Sequence, residues 1–259
     1  MRLIALLFAA SLATASLPAP PAAAQIAQIQ LSAQEAADQA VVRKAQQAGS
    51  FTAMAPMEKD LIAVLDHAPA HYPQIERVGD VTNIRFTGAS GPGAGALAGA
   101  IQAKGETFAV GMNTYAVAAM MLGSLANERR DPRKAIAYLD RGLALQPGNL
   151  VLLAERGMAM VVLRQFSDAL ALYEKAEKLD FVTKGLNRGA EGRLLRGKGF
   201  VLIELKRLDE AEAAYVAALK LEPDHPTAKA ELDYIRKQRG GAPQTEIELK
   251  NVPPPPAKP

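Results

Sequence analysis

Between Asn113 and about Gln238 one pattern of small and large apolar residues is written three times. Gly123, Gly157 and Gly199 each stand twelve residues before an alanine, Ala135, Ala169 and Ala211. Seven residues further on come Gly142, Ala176 and Ala218, and three later Leu145, Leu179 and Leu221. Two units close with Pro147 and Pro223, whereas the middle one has Phe181. Each unit predicts two antiparallel helices joined by a tight turn. The glycine lets the first helix approach closely, the alanine sits where the second helix touches it, and larger Leu, Met and Tyr residues fill the remaining space. Helices are predicted over 113–127, 131–145, 149–163, 167–179, 189–205 and 208–221. Their starts carry Asn113, Asp131 followed by Pro132, Asn149 and Ser167 as caps. A hairpin of this kind leaves an apolar face uncovered, and stacking the next hairpin buries it, so the repetition implies a solenoid with a concave surface.

This register resembles the tetratricopeptide repeat, whose unit is 34 residues long. Units of 116–149 and 150–183 keep that period, and a third of 192–225 leaves eight extra residues, roughly Lys184 to Glu191, before it. The sequence departs from the family where large aromatics are usual in the first helix, which has Ala119, Leu153, Leu195 and Ala126, Met160, Leu202 instead. The resemblance implies a mostly α fold, a right-handed α-solenoid of three hairpins. It also implies that the first helix of each unit lines the groove. On that basis the groove positions are Val117, Met120, Ser124 and Asn127, then Val151, Ala154, Met158 and Val161, then Arg193, Arg196, Phe200 and Ile203. Similar proteins that bind C-terminal carboxylates use a lysine and asparagines in the early first helices and basic residues in the third, and only Arg193 and Arg196 echo that clamp. The groove therefore reads as apolar at Met120, Met158 and Phe200 with a basic end, suited to an amphipathic helix or extended segment with some negative charge. The competing reading is that the N-terminal region covers these apolar residues, since large exposed apolar patches are uncommon.

Outside the repeats, Pro226 to Arg239 predicts a helix whose Ala228, Leu232 and Ile235 face inward and whose Lys229, Glu231, Arg236, Lys237 and Gln238 are exposed. It is the closing helix that covers the last apolar face. Residues 25–107 predict a small α/β region. Ser32 and Glu35 form a capping-box pattern opening a helix to Ala48, a second helix runs from about Pro56 to Asp66, and Ile75 to Phe86 alternates as a strand hairpin turning at Gly79-Asp80. The stretch from Gly88 to Gly105 is rich in Gly and Ala but lacks the lysine-hydroxyl ending of a phosphate loop, and reads as a loop with a short helix at Ala96 to Gln102. Gly240 to Pro259 has four consecutive prolines from Pro253 and reads as a disordered or polyproline tail. Met1 to Ala24 has Arg2, an apolar run from Leu3 to Leu12 and a small-residue ending, the pattern of a secretory signal peptide. The expected location is secreted, periplasmic in a bacterium with two membranes, with membrane attachment only if that segment stays uncleaved.

The formal charge of +3 is too slight to argue for nucleic acid. A basic cluster at Lys184, Arg188, Arg193, Arg196 and Lys198 spreads around its helix and reads as a solvated face. The absence of cysteine removes disulfides, thiolate metal sites, a cysteine nucleophile and a lipoprotein anchor. His67 and His71 have a metal-like spacing, but Pro69 between them breaks the helix that would align them. Carboxylate pairs such as Glu174 with Glu177 read as surface charges, and no active site, cofactor, metal or small-molecule substrate is evident. The expectation is a non-enzymatic protein-interaction scaffold of the cell envelope that binds a peptide or helix of a partner. Two other readings stand beside it, a structural component anchored by an uncleaved N-terminus and an enzyme with a site in Ile75 to Gly105.

Overall fold

The computed structural model describes residues 27–87, 107–179 and 188–240. The expected signal peptide, the Gly/Ala-rich stretch, the first half of the expected insert and the proline-rich tail lie outside them. The described chain is mostly helical, with a small sheet near its N-terminus. None of its described helices is long and apolar enough to cross a membrane.

The N-terminal region runs through β1 (Ala27–Gln28), α1 (Ala33–Gln47), α2 (Phe51–Met54), a single 3-10 turn and α3 (Glu58–Asp66). Ser32 Oγ accepts the Glu35 amide and caps α1. The Glu35 carboxylate, which would complete the capping box, instead accepts the Tyr72 hydroxyl at 2.5 Å. β2 (Ile75–Val78) and β3 (Val81–Phe86) form the expected antiparallel hairpin, with Gly79 in the left-handed region at φ +60°. Two strands were not expected. β4 (Thr107–Met112) pairs parallel with β3, and β1 pairs parallel with β4, giving the order β1-β4-β3-β2. β4 straddles the boundary expected at residues 107–108, so the helical array starts at Asn113. Phe108 and Ala109 are both buried, on opposite faces of the strand, and this removes the alternation by which a strand is recognised.

The array comprises α4 (Thr114–Glu128), α5 (Pro132–Leu145), α6 (Leu150–Val162), α7 (Phe166–Glu177), α8 (Arg188–Glu204), α9 (Leu208–Leu221) and α10 (Pro226–Arg239). Its three hairpin turns are built alike. Arg130, Arg164 and Lys206 take φ of 60°, 57° and 63°. Their amides return to the carbonyls of Asn127, Val161 and Ile203, and the next amides reach back to Ala126, Met160 and Leu202. This is the double closure of a helix C-terminus through a left-handed residue. Asp131 and Asn149 act as the expected caps. Ser167 does not: the left-handed Arg164 fixes where α7 begins, Gln165 takes the cap position and Ser167 lies within the first turn.

The glycine register has a specific counterpart across each hairpin. A Cβ added at Gly123 would lie 2.7 Å from Leu139, one at Gly199 would lie 2.6 Å from Tyr215, and one at Gly157 would overlap the ring of Tyr173. Ala135, Ala169 and Ala211 are fully buried. The side chain seated on the glycine is therefore the large one four residues after each alanine. α10 buries Ala228, Leu232 and Ile235 and closes the array.

A buried amide cluster joins sheet to array. Asn113 Nδ2 donates to Thr87 Oγ1 at 3.1 Å and to Gln146 Oε1 at 2.6 Å, and Asn149 Nδ2 donates to the same two oxygens at 2.7 and 2.9 Å. Asn113 makes no side-chain cap on α4 because its Oδ1 instead accepts Gln146 Nε2 at 3.0 Å.

Candidate binding groove

The first helices α4, α6 and α8 line two recesses. One, of about 580 Å³, is walled by Met120, Met121 and Ser124 of α4, by the segment from Gly49 to Met54, and by Glu155 and Arg193. The other, of about 470 Å³, lies between α6, α8 and α10. Met158, Val161, Val162 and Phe200 supply its apolar surface, Arg193, Arg196, Arg164, Glu204 and Glu231 its charge, and Tyr215 and Thr227 border it. Arg193 belongs to both recesses, where its ion pair with Glu155 stands between them.

The predicted groove residues divide accordingly. Met120 and Ser124 border the first recess, beside Phe51 and Met54 of the N-terminal region. Met158, Val161, Arg193, Arg196 and Phe200 come together at the second. Ala154 is buried in the core between helices, as is Val117, and neither reaches the groove surface. Asn127 borders neither recess, and its buried Oδ1 has no hydrogen-bond partner. The N-terminal region thus stands against the first-repeat end of the groove, while Met158 and Val162 remain 43% and 55% exposed at the second.

The basic end expected from Arg193 and Arg196 is neutralised within the chain. Arg193 pairs with Glu155 and Arg196 with Glu222. Lys198, from the same cluster, holds Glu177 at 2.6 Å. Arg164 lies over the Phe166 ring at 5.2 Å with Glu204 at 4.0 Å. Glu231 was expected on the exposed side of its helix, yet it turns into the second recess. Its Oε2 is buried without a hydrogen-bond partner, and burial pushes its carboxyl above the usual range. The phenols of Tyr173 and Tyr215 are also pushed far up, chiefly by burial, and remain neutral at physiological pH.

Reading the groove from one helix per unit missed Arg164, Phe166, Thr227 and Glu231, and it also left out Val162 and Glu204 at the ends of the first helices α6 and α8. A signal for Glu231 was present, because it stands three residues after Ala228 and four before Ile235, on the buried stripe of α10. The histidines have separate partners. His67 Nδ1 lies 2.8 Å from the buried Asp38, and His71 Nε2 is 3.9 Å from Glu76, since α3 ends at Asp66. In β3, Arg85 is held by Glu76 and the Pro73 carbonyl, each at 3.0 Å, and stacks on Tyr72.

The family model of the tetratricopeptide repeat matches residues 192–225. No curated protein sequence matches the chain. Among solved structures, PilF of Pseudomonas aeruginosa shares 14% identity over 81% of this chain and 72% of that one, with a TM-score of 0.56, a likeness of fold. The first tetratricopeptide domain of human RPAP3 shares 25% identity over 49% of this chain and 93% of that one, with a TM-score of 0.43. The second such domain of human RPAP3, solved in complex with the HSP70 peptide SGPTIEEVD, shares 26% identity over 47% and 95%, with a TM-score of 0.41. Residues 192–225 match the family model, and the glycine seat and left-handed turn residue recur in the two hairpins before them, so the helical array is built of tetratricopeptide-like hairpins.

Proposed function

We propose that the protein is a non-enzymatic scaffold that holds a peptide or helix of a partner protein in the groove of its tetratricopeptide-like array. The observation that carries this reading is the second recess, where Met158 and Val162 stay exposed beside Phe200 in a concavity of about 470 Å³. An apolar side chain of a partner, laid there, removes surface that the fold itself leaves wet. Methionine adapts its shape to different occupants at little cost, and suits a surface that grips segments rather than one rigid ligand. The groups around it are three ion-paired arginines, the neutral Tyr215 phenol, apolar side chains and the Glu231 carboxylate, a set fitted to recognition.

The reading extends to location. Arg2, the apolar run after it and the small residues up to Ala24 have the form of an export leader and support a place in the cell envelope, in the periplasm of a bacterium with two membranes. Cell fractionation with mass analysis of the mature N-terminus tests this, and an intact Met1 start would replace a free exported protein with an anchored one.

The groove is tested by Met158→Asp combined with Phe200→Asp. In-cell crosslinking followed by mass spectrometry should recover a partner with the wild type and lose it with the double variant, whose circular dichroism and melting stay those of a folded array. Undiminished capture by the folded variant excludes this surface.

A further inference from the structure

The charges of the second recess do not balance, and the imbalance has one source. Each guanidinium that lines it already faces a carboxylate of the chain: Arg193 has Glu155, Arg196 has Glu222 and Arg164 has Glu204. Glu231 also lines the recess, and among the described residues it makes neither a hydrogen bond nor an ion pair. The carboxylate contributes nothing polar to the fold, and burial works against its ionised form. An unanswered acid beside exposed apolar surface is a poor structural element and a good receptor for a donor that arrives with the ligand.

We infer that the partner segment bound in this recess carries a lysine or arginine, which pairs with Glu231 while a neighbouring apolar side chain of the segment lies on Met158 and Phe200. The inference rests on the groove reading and adds the sign of the ligand's charge. It reverses the acidic character that Arg193 and Arg196 suggested in the sequence. An acidic segment would meet Glu231 as a like charge and would have to take Arg193 or Arg196 from a carboxylate that already holds it. A neutral donor could reach Glu231, but a cation gives the stronger, charge-assisted bond in a partly buried site.

The test uses the full chain and two short end-blocked fluorescent peptides of alanine, glutamine and leucine, identical except for a central lysine or glutamate between the leucines. Fluorescence anisotropy should show the lysine peptide binding about tenfold more tightly, the difference expected of one desolvated charge pair. Glu231→Gln should shrink that preference to about twofold or less, and Glu231→Lys should invert it, with unchanged circular dichroism in both. Asp233→Asn, on the exposed side of the same helix, should leave it intact. Equal binding of the two peptides by the wild type overturns the cation inference and leaves the groove reading standing. A glutamate preference also overturns it, and binding of neither peptide overturns both readings. A lysine preference that survives Glu231→Gln overturns the assignment to Glu231.

Discussion

Gly157 of α6 is the seat of Tyr173 of α7: a side-chain carbon on the glycine would occupy the tyrosine ring. The same ring reaches the third unit, where a Cβ at Gly197 would lie 2.6 Å from the Tyr173 hydroxyl. One aromatic side chain thus locks its own hairpin and the next.

Gly157→Ala should destabilise the array although alanine is the better helix former. The overlap is with a buried ring that has no room to move, and overpacking of this kind costs about 1–3 kcal/mol, more than the roughly 1 kcal/mol gained in helix propensity. Urea unfolding followed by circular dichroism should show a lower midpoint. Tyr173→Phe should be neutral or slightly stabilising, because the hydroxyl it removes is buried without a hydrogen bond.

Lys206→Gly should stabilise the protein. Lys206 holds φ at 63°, which costs a residue with a Cβ about 1 kcal/mol, and glycine recovers part of this after its larger loss of unfolded-state freedom. A gain of roughly 0.5 kcal/mol is expected in urea unfolding. Arg164→Gly, at φ 57°, should gain less because it also removes the stack on Phe166.

Asn149→Ala should cost about 2–4 kcal/mol and loosen the sheet. The Asn149 side chain accepts the amides of Val151 and Leu152 as a helix cap and donates to Thr87 and Gln146, so its removal strands buried groups on both sides of the junction. Hydrogen exchange should quicken in β3 and β4 before it quickens in α8 and α9.

Acid should act on two glutamates with opposite sign. Hydrogen bonds from Lys134 and then Arg129 hold the Glu58 carboxyl below its ordinary 4.5, so its contribution is present above that value and is lost as pH falls through the lowered one. The pair sits at the surface and contributes under about 1 kcal/mol, expressed as looser docking of α3 on the α4–α5 turn. The Glu231 carboxyl is raised, so its contribution is favourable below 4.5 and is lost as pH rises through the raised value. Glu231→Gln should therefore melt close to the wild type near about pH 4 and above it, by a degree or two, near about pH 7. A melting temperature for Glu231→Gln below the wild type at neutral pH would show that the carboxylate has a partner in the fold.

The helical hairpins were legible because their interlock is local. Each glycine meets a residue sixteen positions later in the same unit, so the offset is written into the chain and repeats with it. The closing helix was legible for the same reason, through the spacing of Ala228, Leu232 and Ile235. β4 was not, because consecutive burial on both faces erases a strand's period, and β1 is only two residues long.

The spacing of small and large residues in the sequence alone determined the three hairpins, their tight turns and the order of helices along the groove, since each follows from contacts within one unit. The tertiary structure decided the groove's character. Arg193 meets Glu155 from the preceding unit, Arg196 meets Glu222 at the far end of its own hairpin, and the N-terminal segment stands against Met120. These partners are distant in sequence, so only the folded array brings the opposite charges together and, among the described residues lining the second recess, leaves Glu231 as the carboxylate without a cation.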